Sequence, residues 1–140
     1  MNSLENFNLT CIYCDDIRDE VSGKTSIVGW YPVEPIQLKA EEPLLLPTLC
    51  VLGLLLTPLD LKFSEMKVEL LQNENIVQNV TVPEQSLDQV TSDLGGSNLG
   101  RQMRVAFKIV NLQVSEPTLL RMRVTIDGQV LESNPLSFVR

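Results

Sequence analysis

Residues 120–132 read Leu120-Arg121-Met122-Arg123-Val124-Thr125-Ile126-Asp127-Gly128-Gln129-Val130-Leu131-Glu132. Leu120, Met122, Val124 and Ile126 alternate with Arg121, Arg123 and Thr125, the two-residue period of a strand with one face on a core. Asp127-Gly128 then supplies two residues that tolerate positive φ, as a two-residue type I′ turn requires. The stretch therefore predicts a β-hairpin with Gln129 to Glu132 as its second arm.

The same period extends in both directions. Met103, Val105, Phe107 and Ile109 alternate with Arg104, Ala106 and Lys108, and Met66, Val68 and Leu70 with Lys67 and Glu69. Asn73-Glu74-Asn75 turns the chain back into Ile76 to Val82. Leu136 to Val139 closes the sheet, and Pro135 suits the first position of that strand. In Asn8 to Asp15, Leu9, Cys11 and Tyr13 point one way and Thr10, Ile12 and Cys14 the other. Apolar groups on both sides predict a strand well inside a sheet. Thr25 to Tyr31 is a second strand, reached through a reversal at Ser22-Gly23. Leu49 to Thr57 is apolar on both faces, so a buried helix competes, but Gly53 in its middle and prolines at both ends favour a strand.

These segments predict an all-β fold, a β-sandwich (immunoglobulin-like or related) of eight or nine short strands. At most one or two short helices fit beside them. Ser86-Leu87-Asp88-Gln89 is a capping box, Leu87, Val90 and Leu94 share a helical face, and Gly95 is placed to end about two turns. With 140 residues and 15.7 kDa, the chain suits a single domain, residues 1–140, large enough for a core of its own.

The chain contains no histidine. It therefore lacks the usual proton-transfer group near neutral pH, and Ser–His or Cys–His nucleophile pairs cannot be built. Aromatic residues make up 5%, too few to suggest stacking platforms for bases. The net charge is −7, distributed as −10 over residues 1–100 and +3 over residues 101–140. An acidic body speaks against non-specific nucleic-acid binding. Met1 to Asn6 shows no secretion signal, and the apolar stretch from Leu44 to Leu59 is interrupted by Pro47 and short of the roughly 20 residues of a membrane helix. The expectation is a cytoplasmic protein, in the host cytoplasm if phage-encoded, with reduced cysteines, no cofactor, and neither nucleic acid nor membrane as partner.

Four clusters invite chemistry, and each has a plainer reading. Cys11-Ile12-Tyr13-Cys14 is a C-x-x-C, but on a strand its two sulfurs straddle the sheet, so packing is expected over redox or zinc chemistry. Gly95 to Gln102 has the glycine spacing of a phosphate-binding loop, yet Arg101 and Gln102 stand where lysine and a hydroxyl belong, and a strand follows where a helix is needed. Asp15, Asp16, Asp19 and Glu20 are the candidate ligands if a cation binds, though they lack ordered spacing and Arg18 sits among them; a solvated connection is the expectation. Arg104, Lys108, Arg121 and Arg123 lie on the polar faces of two successive strands. If those strands pair, they form one basic patch, either neutralised by Glu69 and Glu132 or left as a contact surface.

Cys14-Asp15-Asp16-Ile17-Arg18 followed by Gly23-Lys24-Thr25-Ser26-Ile27-Val28-Gly29 resembles the opening of an uncharacterised family of small bacterial and phage proteins. That family shows a Cys, an acidic residue and a variable piece, then Gly-Lys and a strand ending in Ile-Gly; the late Asp127-Gly128 hairpin is also in keeping. The resemblance implies a compact β-sandwich of bacterial or phage origin and brings no activity with it. Together these features predict a non-enzymatic protein–protein interaction module, with another protein or a further copy of itself as partner. The alternatives are a phage-encoded inhibitor that binds a host protein through its acidic surface and a small carboxylate- or metal-dependent enzyme.

Overall fold

The computed structural model describes residues 6–39, 41–58, 62–83 and 101–140. Within them the chain forms eleven strands: β1 (Asn8–Cys14), β2 (Asp16–Asp19), β3 (Thr25–Val28), β4 (Ile36–Gln37), β5 (Leu44–Thr57), β6 (Glu65–Gln72), β7 (Asn75–Pro83), β8 (Arg101–Val114), β9 (Thr118–Ile126), β10 (Gln129–Glu132) and β11 (Leu136–Val139). There is no helix among the described residues. The expected helix at Ser86 to Gly95 lies outside them, as does most of the glycine-rich loop. Arg101 and Gln102 open β8.

β1, β5 and β8 make a three-stranded antiparallel sheet in that order, and the second sheet runs β4-β11-β9-β6-β7. β10 pairs with the Arg123–Ile126 half of β9. The sheets pack face to face: Leu9, Cys11, Tyr13, Leu49, Val51 and Phe107 of the first share one core with Met66, Val68, Leu70, Leu120, Met122 and Val124 of the second. Alternation places these residues, since one face of each strand is apolar and has a facing sheet to bury it. The all-β sandwich expected from the pattern is the fold found, although β5 and β8 are 14 residues each and the strand number exceeds nine.

Both long strands carry a kink that alternation does not reveal. Leu46 pairs with Leu112 and Thr48 with Val110, and the ladder passes over Pro47 and Asn111 between them. Proline has no N–H for a ladder bond, and Asn111 takes φ 57°, the left-handed region that asparagine tolerates. At this point both strands exchange faces. Leu46 and Leu112 bury even-numbered side chains in the core; beyond the kink Leu49, Val51, Leu55, Phe107 and Met103 bury odd-numbered ones. A proline is thereby accommodated inside a central strand, where the usual rule confines it to edges and bulges.

The turns follow their local chemistry. Asp127 and Gly128 have φ 47° and 86°, as the type I′ hairpin requires, and Gly23 has φ 87° at the β2–β3 reversal. β1 is an edge strand, contrary to the expectation of an interior one. Its second side is covered only toward its end, with Cys14 buried, Ile12 half-buried and Thr10 exposed, where the β2–β3 ribbon folds back over the outer side of the first sheet and Arg104 Nη1 donates to Thr25 Oγ1 at 2.7 Å.

Candidate functional site

The ribbon gathers the acidic run. Asp15 N donates to the Val28 carbonyl at 2.9 Å, and the Asp15 carboxylate accepts from the Tyr31 hydroxyl at 3.2 Å. Gly29, at φ 70°, leaves open the space that the Asp15 carboxylate occupies; any Cβ there would collide with it. Asp16 binds Arg18 Nε at 3.0 Å, and that charge-assisted bond holds its carboxyl below the usual value. Ser26 donates its hydroxyl to Glu20 at 2.8 Å. Asp19 sits opposite Thr25 in the β2–β3 ladder. Among the described residues no three acidic or cysteine side chains converge in a way that would hold a metal ion. The segment is a strand, which its charge concealed: pairing with β3, not an apolar period, makes β2.

The cysteines divide as strand geometry dictates. Cys11 lies in the core, hydrogen-bonded through its backbone on both sides to the Asn134 side-chain amide, at 2.7 Å and 3.0 Å. Cys14 points to the other face and stands directly opposite Cys50 of β5. All three are free thiols and buried. Burial pushes the Cys11 and Cys50 thiols up, and it raises Cys14 to about 11, with the neighbouring Cys50 adding to the effect. Such thiols are poor nucleophiles near neutral pH.

The four basic residues do not form one patch. β8 and β9 are consecutive but belong to different sheets, so Arg104 and Lys108 lie on the outer side of one and Arg121 and Arg123 on the outer side of the other. The proposed neutralisation does occur for the second pair. Arg123 Nη2 meets the Glu69 carboxylate at 3.1 Å, with Glu69 only 4% exposed. Arg121 Nε contacts Glu132 at 3.2 Å, and its Nη1 donates to the Asn73 carbonyl at 2.7 Å. These guanidinium groups tie strands and a turn together.

A further feature carries no charge at all. β7, Asn75-Ile76-Val77-Gln78-Asn79-Val80-Thr81-Val82-Pro83, ends the second sheet, with β6 as its strand neighbour. A bulge between Leu70 and Leu71 leaves Val77 without an opposite residue, and Ile76, Val77 and Val80 are exposed. The other long edges are guarded. Asn134 and Tyr31 occupy outward backbone groups of β1 at Cys11 and Tyr13, and the Gln78 amide donates to the Lys108 carbonyl of β8 at 2.7 Å. Gln78 is itself a β7 residue and so ties that strand to β8; beyond it, along 79–82, β7 carries neither charged side chains nor such caps among the described residues.

A family model matches residues 9–139, from the second residue of β1 to the last of β11. The chain belongs to the family of unknown function DUF6941. No curated protein matches it. For this member of DUF6941, membership agrees with the expected uncharacterised family, and the matched span covers the sandwich and its ribbon together. The β7 edge escaped the sequence reading because an uncharged strand with apolar groups on both sides looks like any other. Its lack of charge over nine residues was the available signal.

Proposed function

We propose that this protein is a non-enzymatic interaction module, of bacterial or phage origin and working in the cytoplasm, that binds another protein by adding an extended segment of it to β7. The observation that carries the reading is the uncharged edge at 79–82, which no other strand covers among the described residues. An unpaired strand edge offers a row of N–H and C=O groups, and proteins that do not use such edges blunt them with charge, proline or covering loops. Main-chain bonding to a partner strand satisfies that row, while Ile76 and Val80 supply apolar contacts for side-chain selection. The carboxylates engaged by Tyr31, Arg18 and Ser26, together with thiols held protonated by burial, support binding over catalysis.

A photo-reactive residue at Val80, in cells of the native host, should crosslink a protein, while the same group at the fully exposed Val21 of the ribbon turn should not. Val80→Lys and Thr81→Lys should each abolish that complex, Thr81→Lys with an unchanged melting temperature because Thr81 stands opposite Lys67 on the side away from the core. Equal crosslinking at both positions, or a complex indifferent to Val80→Lys and Thr81→Lys, overturns the proposal.

A further inference from the structure

Cys14 and Cys50 meet in a way that a search for C-x-x-C motifs overlooks, because 35 residues lie between them in the chain and none across the β1–β5 ladder. Their sulfurs also turn to adjacent groups of one segment. Cys14 Sγ donates to the Asp16 carbonyl at 3.5 Å, and Cys50 Sγ to the Asp15 carbonyl at 3.8 Å. Both side chains are therefore held beneath the root of the β2–β3 ribbon, on the face of the sheet away from the main core.

We propose that Cys14 and Cys50 form a reversible intramolecular disulfide under oxidation, a modification site that leaves Cys11 untouched. The spacing is set by the ladder. The Tyr13 carbonyl accepts from Tyr31 N, and Asp15 N donates to Val28, so the odd-numbered residues here turn their backbone groups away from β5. Cys14 turns toward β5, making Cys14–Cys50 a hydrogen-bonded pair with Cα atoms about 5.5 Å apart. Disulfides span Cα separations of about 4.4–6.8 Å, so no strand has to shift register. The Cβ atoms of directly opposed residues are about 4.5–5.5 Å apart, against about 3.5–4.5 Å in a disulfide. Closing the bond draws the strands together, and a bond under such tension is easily reduced.

A peroxide is a suitable oxidant because it is small enough to reach thiols beneath the ribbon. One thiolate attacks the peroxide O–O bond and becomes a sulfenic acid, releasing hydroxide that takes up a proton as water. The second thiol attacks that sulfur and expels water. Overall two thiols and one hydrogen peroxide give one disulfide and two waters. Cys11 lies on the opposite face, within the core, and serves as an internal control.

The test treats the whole protein with hydrogen peroxide, blocks remaining thiols in denaturant and maps peptides by mass spectrometry. The expected product has lost two hydrogens, joins the Cys14 and Cys50 peptides, carries the blocking group on Cys11, and reverts with millimolar glutathione without denaturant. Its formation should quicken about tenfold per pH unit between pH 7 and 9, since burial keeps the thiols protonated there. Cys11→Ser should give the same linkage, while Cys50→Ser should leave a sulfenic acid at Cys14 that a dimedone probe traps. Linkage through Cys11, crosslinks between molecules, or oxidation of single thiols to sulfinic acid in the wild type without linkage overturns the inference; the wild-type result decides even if a variant does not fold.

Discussion

Met122 of β9 lies over Gly53 of β5, its thioether occupying the place that a Cβ on Gly53 would take. This contact sets how closely the two sheets approach at the centre of the core, where Met122 is 1% exposed and its neighbours Leu70 and Leu120 fully buried. Glycine in mid-strand costs conformational entropy and β propensity, and here the return is room for a large side chain from the opposite sheet.

Gly53→Ala should therefore lower the unfolding free energy by about 1–3 kcal/mol, the range for overpacking a closed core. Met122→Ala alone should cost about 2–5 kcal/mol through the cavity it leaves. In the double variant the alanine methyl enters that cavity, so urea unfolding should show a loss well below the sum of the two. Strict additivity would mean that the two residues do not share space.

Glu69 tests a buried charge on the outer side of the second sheet. Arg123→Leu removes its closest cation and leaves the carboxylate with Lys67 at 3.8 Å, which should cost about 1–3 kcal/mol. Glu69→Leu combined with Arg123→Leu should recover most of that loss, because an apolar pair needs no compensation. Chemical denaturation of the three proteins measures both effects.

Asn73 anchors the β6–β7 turn through three groups. Its backbone N–H donates to the Leu119 carbonyl at 2.8 Å, its side chain accepts from Leu119 N at 3.0 Å, and its carbonyl accepts from Arg121. It also takes φ 55°. Asn73→Val forfeits the side-chain bond and forces a β-branched residue into the left-handed region, for about 2–3 kcal/mol. Asn73→Gly relieves the backbone and should lose about 1 kcal/mol for the hydrogen bond alone. Thermal melts that rank the two equally would remove backbone conformation from the explanation.

Stability should fall on the alkaline side. Burial raises Cys14 from 9.0 to about 11 and Tyr31 from 10.0 to about 12, so in the folded state both keep protons that the unfolded chain has released. Their contribution is whole below pH 9 and is lost as the pH rises through about 11 and 12. Denaturation midpoints from pH 7 to 12 should thus drop less steeply in Cys14→Ala, which begins from a lower stability at neutral pH.

The strands themselves are legible residue by residue, because burying one side of a pleated strand imposes a two-residue period. Leu120 to Ile126 and Met66 to Leu70 show it plainly, and Asp127-Gly128 announces its turn through a backbone conformation that few residues adopt. The opposite orientations of Cys11 and Cys14 follow from the same period, and no tertiary information is needed for them. Partnership between strands is another matter. Arg104 and Arg123 separate onto different sheets because the chain crosses the sandwich between Val114 and Thr118. Three residues of connection contain nothing that distinguishes a hairpin from a crossing. Cys14 meets Cys50, and Pro47 survives inside β5, only because particular distant strands align in particular registers. β2 exists because β3 lies beside it, its acids and Arg18 having no apolar period to report. Local conformational preference is written in neighbouring residues, whereas pairing is decided by the burial that one whole arrangement of strands achieves and another does not.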